Sequence, residues 1–142
     1  MNKISILKQY DQKDCGPTCL KMLYDAYGLD IDIGEVRARC GTNKIGTTLF
    51  NLHKVSEDYD FDTEISFLEN VNEIRKDALP AILFVDTVHF VIITKIKTKK
   101  IVIIDPAVGK KTILISELHK RWLTIDIEDE KKRSNLIFRA KI

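Results

Sequence analysis

"KQYDQKDCGPTCLKML", residues 8–23, decides how the rest of the chain reads. Gln9 stands six positions before Cys15, and Cys15 lies between Asp14 and Gly16 at the point where a helix begins. From Gly16 to Tyr27, Cys19, Leu20, Leu23 and Tyr27 recur at three- and four-residue spacing, the period of one apolar helix face, and Gly28 is a natural stop. Asp14 before the run and Pro17 in its first turn suit a helix start. Cys15 has two readings. It is a small buried hydrophobe, or it is a nucleophile that Gln9 assists. Its place favours the second, because the positive end of a helix and its free N–H groups stabilise a thiolate.

The whole chain bounds the choice. Its 142 residues suit one domain with its own core. A hydrophobic fraction of 44% and a charged fraction of 31% are ordinary for a globular protein. Net charge is +2 and no basic stripe carries interleaved aromatics, so nucleic-acid binding is not suggested. The N-terminal apolar stretch is too short for a signal peptide, and no run approaches the ~20 residues of a membrane span. Three cysteines without a secretion signal point to a reducing compartment rather than a disulfide framework. The expectation is a soluble cytoplasmic domain.

Beyond the first helix, Asp32 and Glu35 resemble a capping box for a short helix to about Cys40. "GTTLFNLHKVSEDYD", from Gly46, reads as another, with Thr47 or Thr48 as cap. The second half changes period. "PAILFVD" (80–86), "HFVIITKI" (89–96) and "KIVIIDP" (100–106) are β-branched runs bounded by turns, and "KTKK" (97–100) is a hairpin turn. "KTILI" and "NLIFRA" add strands around a short helix, "SELHKRW". "EDEKKR" (128–133) reads as a solvated charge run or the start of a linker. Helices first and a mostly antiparallel sheet afterwards make this an α+β domain.

Cys19 lies on the apolar face with Leu20 and Leu23 and reads as core; Cys40 reads as structural. A thiol-ligated metal site would need Cys15, Cys19 and Cys40 to converge, and the Cys-x3-Cys spacing is uncommon for zinc. Of three histidines, His53 and His119 read as surface residues. His89 opens a strand in which His89, Val91 and Ile93 alternate with Phe90, Ile92 and Thr94. Asp105 ends the next strand, and Pro106 stops the ladder. A hairpin of these strands makes His89 and Asp105 cross-strand neighbours.

The set then has the logic of a cysteine hydrolase. Imidazole takes the thiol proton, and the carboxylate orients the ring. The Gln9 amide and the Cys15 backbone N–H donate to the oxyanion, a contribution of about 3–4 kcal/mol per donor in the transition state. Gly16 leaves the backbone open to close approach by a substrate.

These residues resemble the N-terminal motif of C39 cysteine peptidases, the domains at the front of bacteriocin- and peptide-exporting ABC transporters. "QYDQKDCGPTCLKML", "GTTLFNL" (46–52), "LPAILFVDTVHFVIITKI" (79–96) and "IVIIDPAVGKKTILISEL" (101–118) carry the resemblance over roughly residues 4 to 122. The order of Cys, then His, then acid is also that of papain-like enzymes. The resemblance implies a papain-like fold, with Cys15 as nucleophile, His89 as base, Asp105 as orienting acid and Gln9 in the oxyanion hole. It implies cleavage of leader peptides after a Gly-Gly-type motif, with no cofactor or metal, in a narrow cleft; adjacency to His89 alone makes Thr87 and Val88 candidates for its lining. The implied partners are a precursor with an amphipathic helical leader, docked on an apolar surface, and the membrane and nucleotide-binding parts of a transporter.

Two features depart from the pattern. Trp122 is followed by "LTIDIEDEKKRSNLIF" where relatives often show a Trp-x-Gly-like stretch, and no Gly-x4-Gly-Lys-Ser/Thr loop occurs in the chain. The expectation is an excised peptidase domain over 1–127, with 128–142 a charged linker or C-terminal strand leading toward a transmembrane region. The alternative is a catalytically silent docking domain of the same kind, which the intact Gln9, Cys15, His89 and Asp105 set opposes.

Overall fold

The apolar spacing of the first helix survives folding: α1 spans Cys15–Ala26 in the computed structural model, which describes residues 1–41, 46–86, 89–122, 124–127 and 130–141. A 3-10 turn, Gln12–Asp14, leads straight into it, and Asp11 caps that turn by accepting from the Lys13 N–H at 2.9 Å. Asp14 precedes α1 as expected but makes no side-chain cap. The chain leaves α1 through Gly28 at φ 84°, a conformation that glycine takes without steric cost.

Helix α2 (Ile33–Arg39) begins at Asp32, whose carboxylate accepts from the Gly34 N–H. Helix α3 (Leu49–Asp58) starts later than Gly46 because Thr48 is the cap, its hydroxyl accepting from the Asn51 N–H at 3.1 Å.

The first half is less helical than its sequence suggests, since β1 (Phe61–Leu68) follows α3 directly. Then come β2 (Ala81–Val85), β3 (His89–Ile96), β4 (Lys100–Asp105), β5 (Gly109–Leu114), α4 (Ile115–Arg121), β6 (Thr124–Ile127) and β7 (Glu130–Lys141). The sheet runs in the order β1-β7-β2-β3-β4-β5, with β6 paired to β7 and every pairing antiparallel. Residues 130–133 of the charged "EDEKKR" stretch are strand, and β7 lies between β1 and β2. Its later residues, Leu136 and Phe138, supply the apolar contact that places it there. Glu128 and Asp129 fall outside the described residues.

Both faces of the central strands are covered, which simple alternation did not foretell. Phe90, Ile92 and Ile104 pack with Leu20, Leu23 and Leu52 on one side. Val91, Ile93, Ile101 and Ile103 pack with Val71, Leu118 and Trp122 on the other. Near-continuous runs such as "FVII" and "IVII" are what a strand buried on both faces requires. The register of β3 on β4 shifts between Ile93 and Lys95, so Ile93 meets Ile103 and Ile96 meets Ile101 on the same side.

Tyr24 ties α1 to the helix beside it. Its ring stacks on Phe61 at 4.9 Å, and its hydroxyl lies 2.8 Å from Ser56 Oγ. Ser56 gives its own hydrogen to the Leu52 carbonyl, so Tyr24 is the donor. Tyr24→Phe keeps the stacking and loses one buried hydrogen bond, and should cost about 1 kcal/mol. Tyr24→Ala should cost about 3–5 kcal/mol through the cavity. Urea unfolding with an unchanged slope checks both values, and equal losses would mean the ring contributes nothing beyond its hydroxyl.

Candidate active site

Three segments distant in sequence meet where α1 begins. Cys15 is the first helical residue, His89 the first of β3 and Asp105 the last of β4. Ile92 pairs with Ile104, so His89 is three residues beyond that pair on one strand and Asp105 one residue beyond on the other. The predicted cross-strand meeting therefore occurs on a diagonal. His89 Nε2 lies 2.6 Å from Asp105 Oδ1. A carboxylate oxygen only accepts, so Nε2 carries the proton. The same oxygen accepts from the Ala107 N–H at 2.8 Å, which fixes the carboxylate to the turn after β4.

The Cys15 side chain hydrogen-bonds the same imidazole. With Nε2 occupied, Nδ1 faces the sulfur. Burial opposes charge on His89, but its hydrogen bonds with Cys15 and Asp105, reinforced by negative charge on those partners, raise its pKa from 6.5 to about 9. The ring holds a proton at neutral pH, between sulfur on one side and carboxylate on the other. Such an arrangement can activate a thiol and later protonate a leaving group.

Asp14 leaves the start of α1 without a side-chain cap. Its carboxylate is buried and lies 2.7 Å from Arg37 Nε, without hydrogen-bond alignment. A helix start whose preceding side chain does not cap it keeps N–H groups free for another anion. Arg37 also balances a negative charge adjacent to Cys15. Sequence spacing gave no hint of this partner, because it comes from α2.

Gln9 is held beside the Asp105 turn, its backbone N–H donating to the Pro106 carbonyl at 2.8 Å. Its Oε1 is buried and takes no hydrogen bond among the described residues. A buried polar atom with unmet capacity costs about 1–3 kcal/mol and is a feature of working sites more than of cores. Gly16 has a packing role that its sequence position did not announce. It is buried, and a Cβ there would lie 2.8 Å from Thr47 Cγ2 and 3.3 Å from both Leu52 and Phe90. The missing side chain lets α1 close on its neighbours. Thr47 is held in that contact by its hydroxyl, which donates to the Cys40 carbonyl at 2.9 Å. Thr87 and Val88 lie outside the described residues.

The remaining candidates separate from this cluster. Cys19 is fully buried, its thiol directed at the Phe90 carbonyl 3.7 Å away. Burial, and then the charges of Cys15 and Asp105, push its pKa well up. Burial pushes Cys40 up to about 12. Among the described residues no group of three His, Cys, Asp or Glu side chains could hold a metal ion.

His53 and His119, expected at the surface, are both half-buried and bonded. His53 Nδ1 meets Thr63 Oγ1 at 2.8 Å, joining α3 to β1. His119 accepts from the Val71 N–H at 3.1 Å and stacks on Trp122. Burial and the nearby Arg133 charge lower its pKa, which keeps it an acceptor. Grooves of about 540 and 410 Å³ lie elsewhere, one along Glu64, Ile74 and Arg139 and the other along Ile4, Pro80 and Ile96.

Residues 3–134 match the model of the Peptidase C39 family, and the chain belongs to that family. It is 36% identical over 122 residues to the lactococcin-G-processing and transport ATP-binding protein LagD of Lactococcus lactis subsp. lactis, covering 82% of this chain and 17% of that protein. It is 28% identical over 126 residues to the colicin V secretion/processing ATP-binding protein CvaB of Escherichia coli, covering 89% of this chain and 18% of that one. The chain thus spans less than a fifth of these relatives.

Among solved structures, a double glycine motif protease from an AMS/PCAT transporter, in complex with the leader peptide, superimposes with a TM-score of 0.83 at 24% identity, over 96% of this chain and 91% of that one. The peptidase domain of Streptococcus ComA gives 0.82 at 19% identity, over 97% and 99%. The fold is the α+β, papain-like fold of C39 peptidase domains.

Two measurements test this geometry. Gly16→Ala should destabilise by about 1–3 kcal/mol through overpacking. Adding Thr47→Ser, which removes the opposing methyl, should restore most of that loss; no rescue would place the strain elsewhere. His89 should titrate near pH 9 by imidazole NMR, and Asp105→Asn should move it downward. The raised pKa adds stability that is complete below the unfolded value of 6.5 and is lost as pH rises through about 9. A stability profile that gains over that window would contradict the assignment.

Proposed function

We propose that this domain is a cysteine endopeptidase that cuts a precursor's leader after a Gly-Gly-type motif. The observation that carries the reading is the hydrogen-bonded series Cys15–His89–Asp105 at the start of α1. Membership of the Peptidase C39 family supports it, as do relatives named for processing and transport and a neighbour solved with its leader peptide.

In this reading the Cys15 sulfur attacks the carbonyl carbon of the second small residue, forming the C–S bond. The oxyanion takes hydrogen bonds from the Cys15 backbone N–H and the Gln9 amide. As the C–N bond breaks, His89 gives its proton to the departing amine, leaving a thioester. His89 then takes a proton from water as the water attacks, and collapse expels the Cys15 thiolate beside the reprotonated His89 and leaves a carboxylic acid, which ionises to solvent. Asp105 keeps the ring oriented and favours its charged state throughout. None of these steps calls for a metal or nucleotide. The leader is proposed to dock as an amphipathic helix, on the cytoplasmic side of a transporter whose membrane and ATP-binding parts share its chain.

The test is incubation with a synthetic leader ending in Gly-Gly plus a few residues, read by mass spectrometry. Wild type should cut once, after the second Gly, and Cys15→Ala should not cut while still binding the peptide. Gln9→Ala should lose about 10²–10³ in kcat with little change in affinity. Binding without cleavage by wild type would favour a docking domain, and equal loss of binding in both variants would make these residues structural.

A further inference from the structure

His89 is directly opposite Val85 in the β2–β3 ladder, so the backbone around Val85 sets where the imidazole starts. The next residue, Asp86, has φ 53°, a left-handed conformation that Asp tolerates better than most side chains but at a cost. The last residue of α4 holds it there. Arg121 Nε donates to both carboxylate oxygens of Asp86 at 3.0 Å, and Nη2 donates to Oδ2 at 2.7 Å. In return the Asp86 N–H donates to the Arg121 carbonyl at 2.9 Å, and Val85 forms a β-bridge with Trp122.

This anchor is firm because Trp122 is buried and its indole N–H donates to the Ser134 carbonyl at 2.9 Å. Arg121 is also within electrostatic range of Asp105. Its hydrogen bonds with Asp86 raise its pKa against the opposition of burial, and the charges of Asp86 and then Asp105 add to the rise. The pair is part-exposed, at 26% and 41% for the two side chains, so its value as charge attraction alone is small. What distinguishes it is the fork, which fixes direction as well as distance.

We propose that Arg121, through its forked contact with Asp86, is a positioning residue that holds the end of β2 so that His89, paired with Val85, stays aligned between Cys15 and Asp105. The inference rests on the peptidase reading for its rate measurements, and on thiol chemistry alone for its second measurement. Asp86→Asn is the cleanest probe, since Asn accepts the left-handed backbone at least as readily, while one of the two acceptor oxygens, and with it the fork, is lost.

Wild type, Asp86→Asn, Arg121→Gln, the double variant and Arg121→Lys are compared for kcat and KM on the Gly-Gly leader peptide. Urea midpoints are measured in parallel. Each single variant should lower kcat by about ten- to a hundredfold with KM little changed, as expected of a displaced reacting group. The double variant should be no worse than either single one, because both remove the same contact. Arg121→Lys should recover only part of the loss, since an ammonium lacks the fork.

Alkylation of Cys15 by iodoacetamide needs no peptide and should slow in the same variants. Slowed alkylation supports the proposal even if wild type cleaves no leader, in which case the peptidase reading alone fails. Unchanged kcat and alkylation, a change confined to KM, or losses that multiply in the double variant would each overturn it.

Discussion

The N-terminus of α1 is pressed so closely against its neighbours that position 16 has no room for a side chain. That approach brings Cys15, the residue before it, within hydrogen-bonding reach of an imidazole carried by a strand. Everything else around the site maintains it. The apolar side chains of α1 bury against Phe90, Ile92 and Ile104, and the Cys19 thiol reaches the Phe90 carbonyl one turn further along. A helix start held at such distance from a sheet cannot move without opening the core beneath it.

Charge is arranged around this contact in the same spirit. Asp14 adjoins the sulfur's residue, and a capping role would have consumed N–H groups that an anion at the helix start needs. Its ion pair with Arg37 removes that competition and offsets its charge. On the other side, Asp105 is held by a backbone N–H as well as by the imidazole, so the carboxylate faces the ring in one orientation. The two acids flanking the site thus have separate work, one paired with Arg37 and one aimed at His89.

Much of this was legible in the sequence. The helix from Cys15, the caps at Asp32 and Thr48, strands β2 to β5 and α4 all announce themselves through local periodicity and turn chemistry, which act between residues a few positions apart. The cluster of Cys15, His89 and Asp105 could be anticipated because few histidines were available and a hairpin brings strand ends together. What misled were stretches whose environment is supplied from far away. β1 follows a helix with little alternation to signal it, and the charged start of β7 reads as a linker as readily as a strand, because its pairing with β6 exists only in the folded sheet.

The sequence by itself determined α1 to α4, β2 to β5 and which side chains were chemically fit to react, because those properties follow from residue type and short spacing. Tertiary structure alone decided which of them meet. Asp14 finds Arg37 across two helices, Thr47 occupies the space that Gly16 leaves empty, and Arg121 reaches back to Asp86. His53 and His119 become bonded connectors for the same reason. Contacts of this kind depend on the packing of whole elements, and packing is a property of the folded surface that no local pattern encodes.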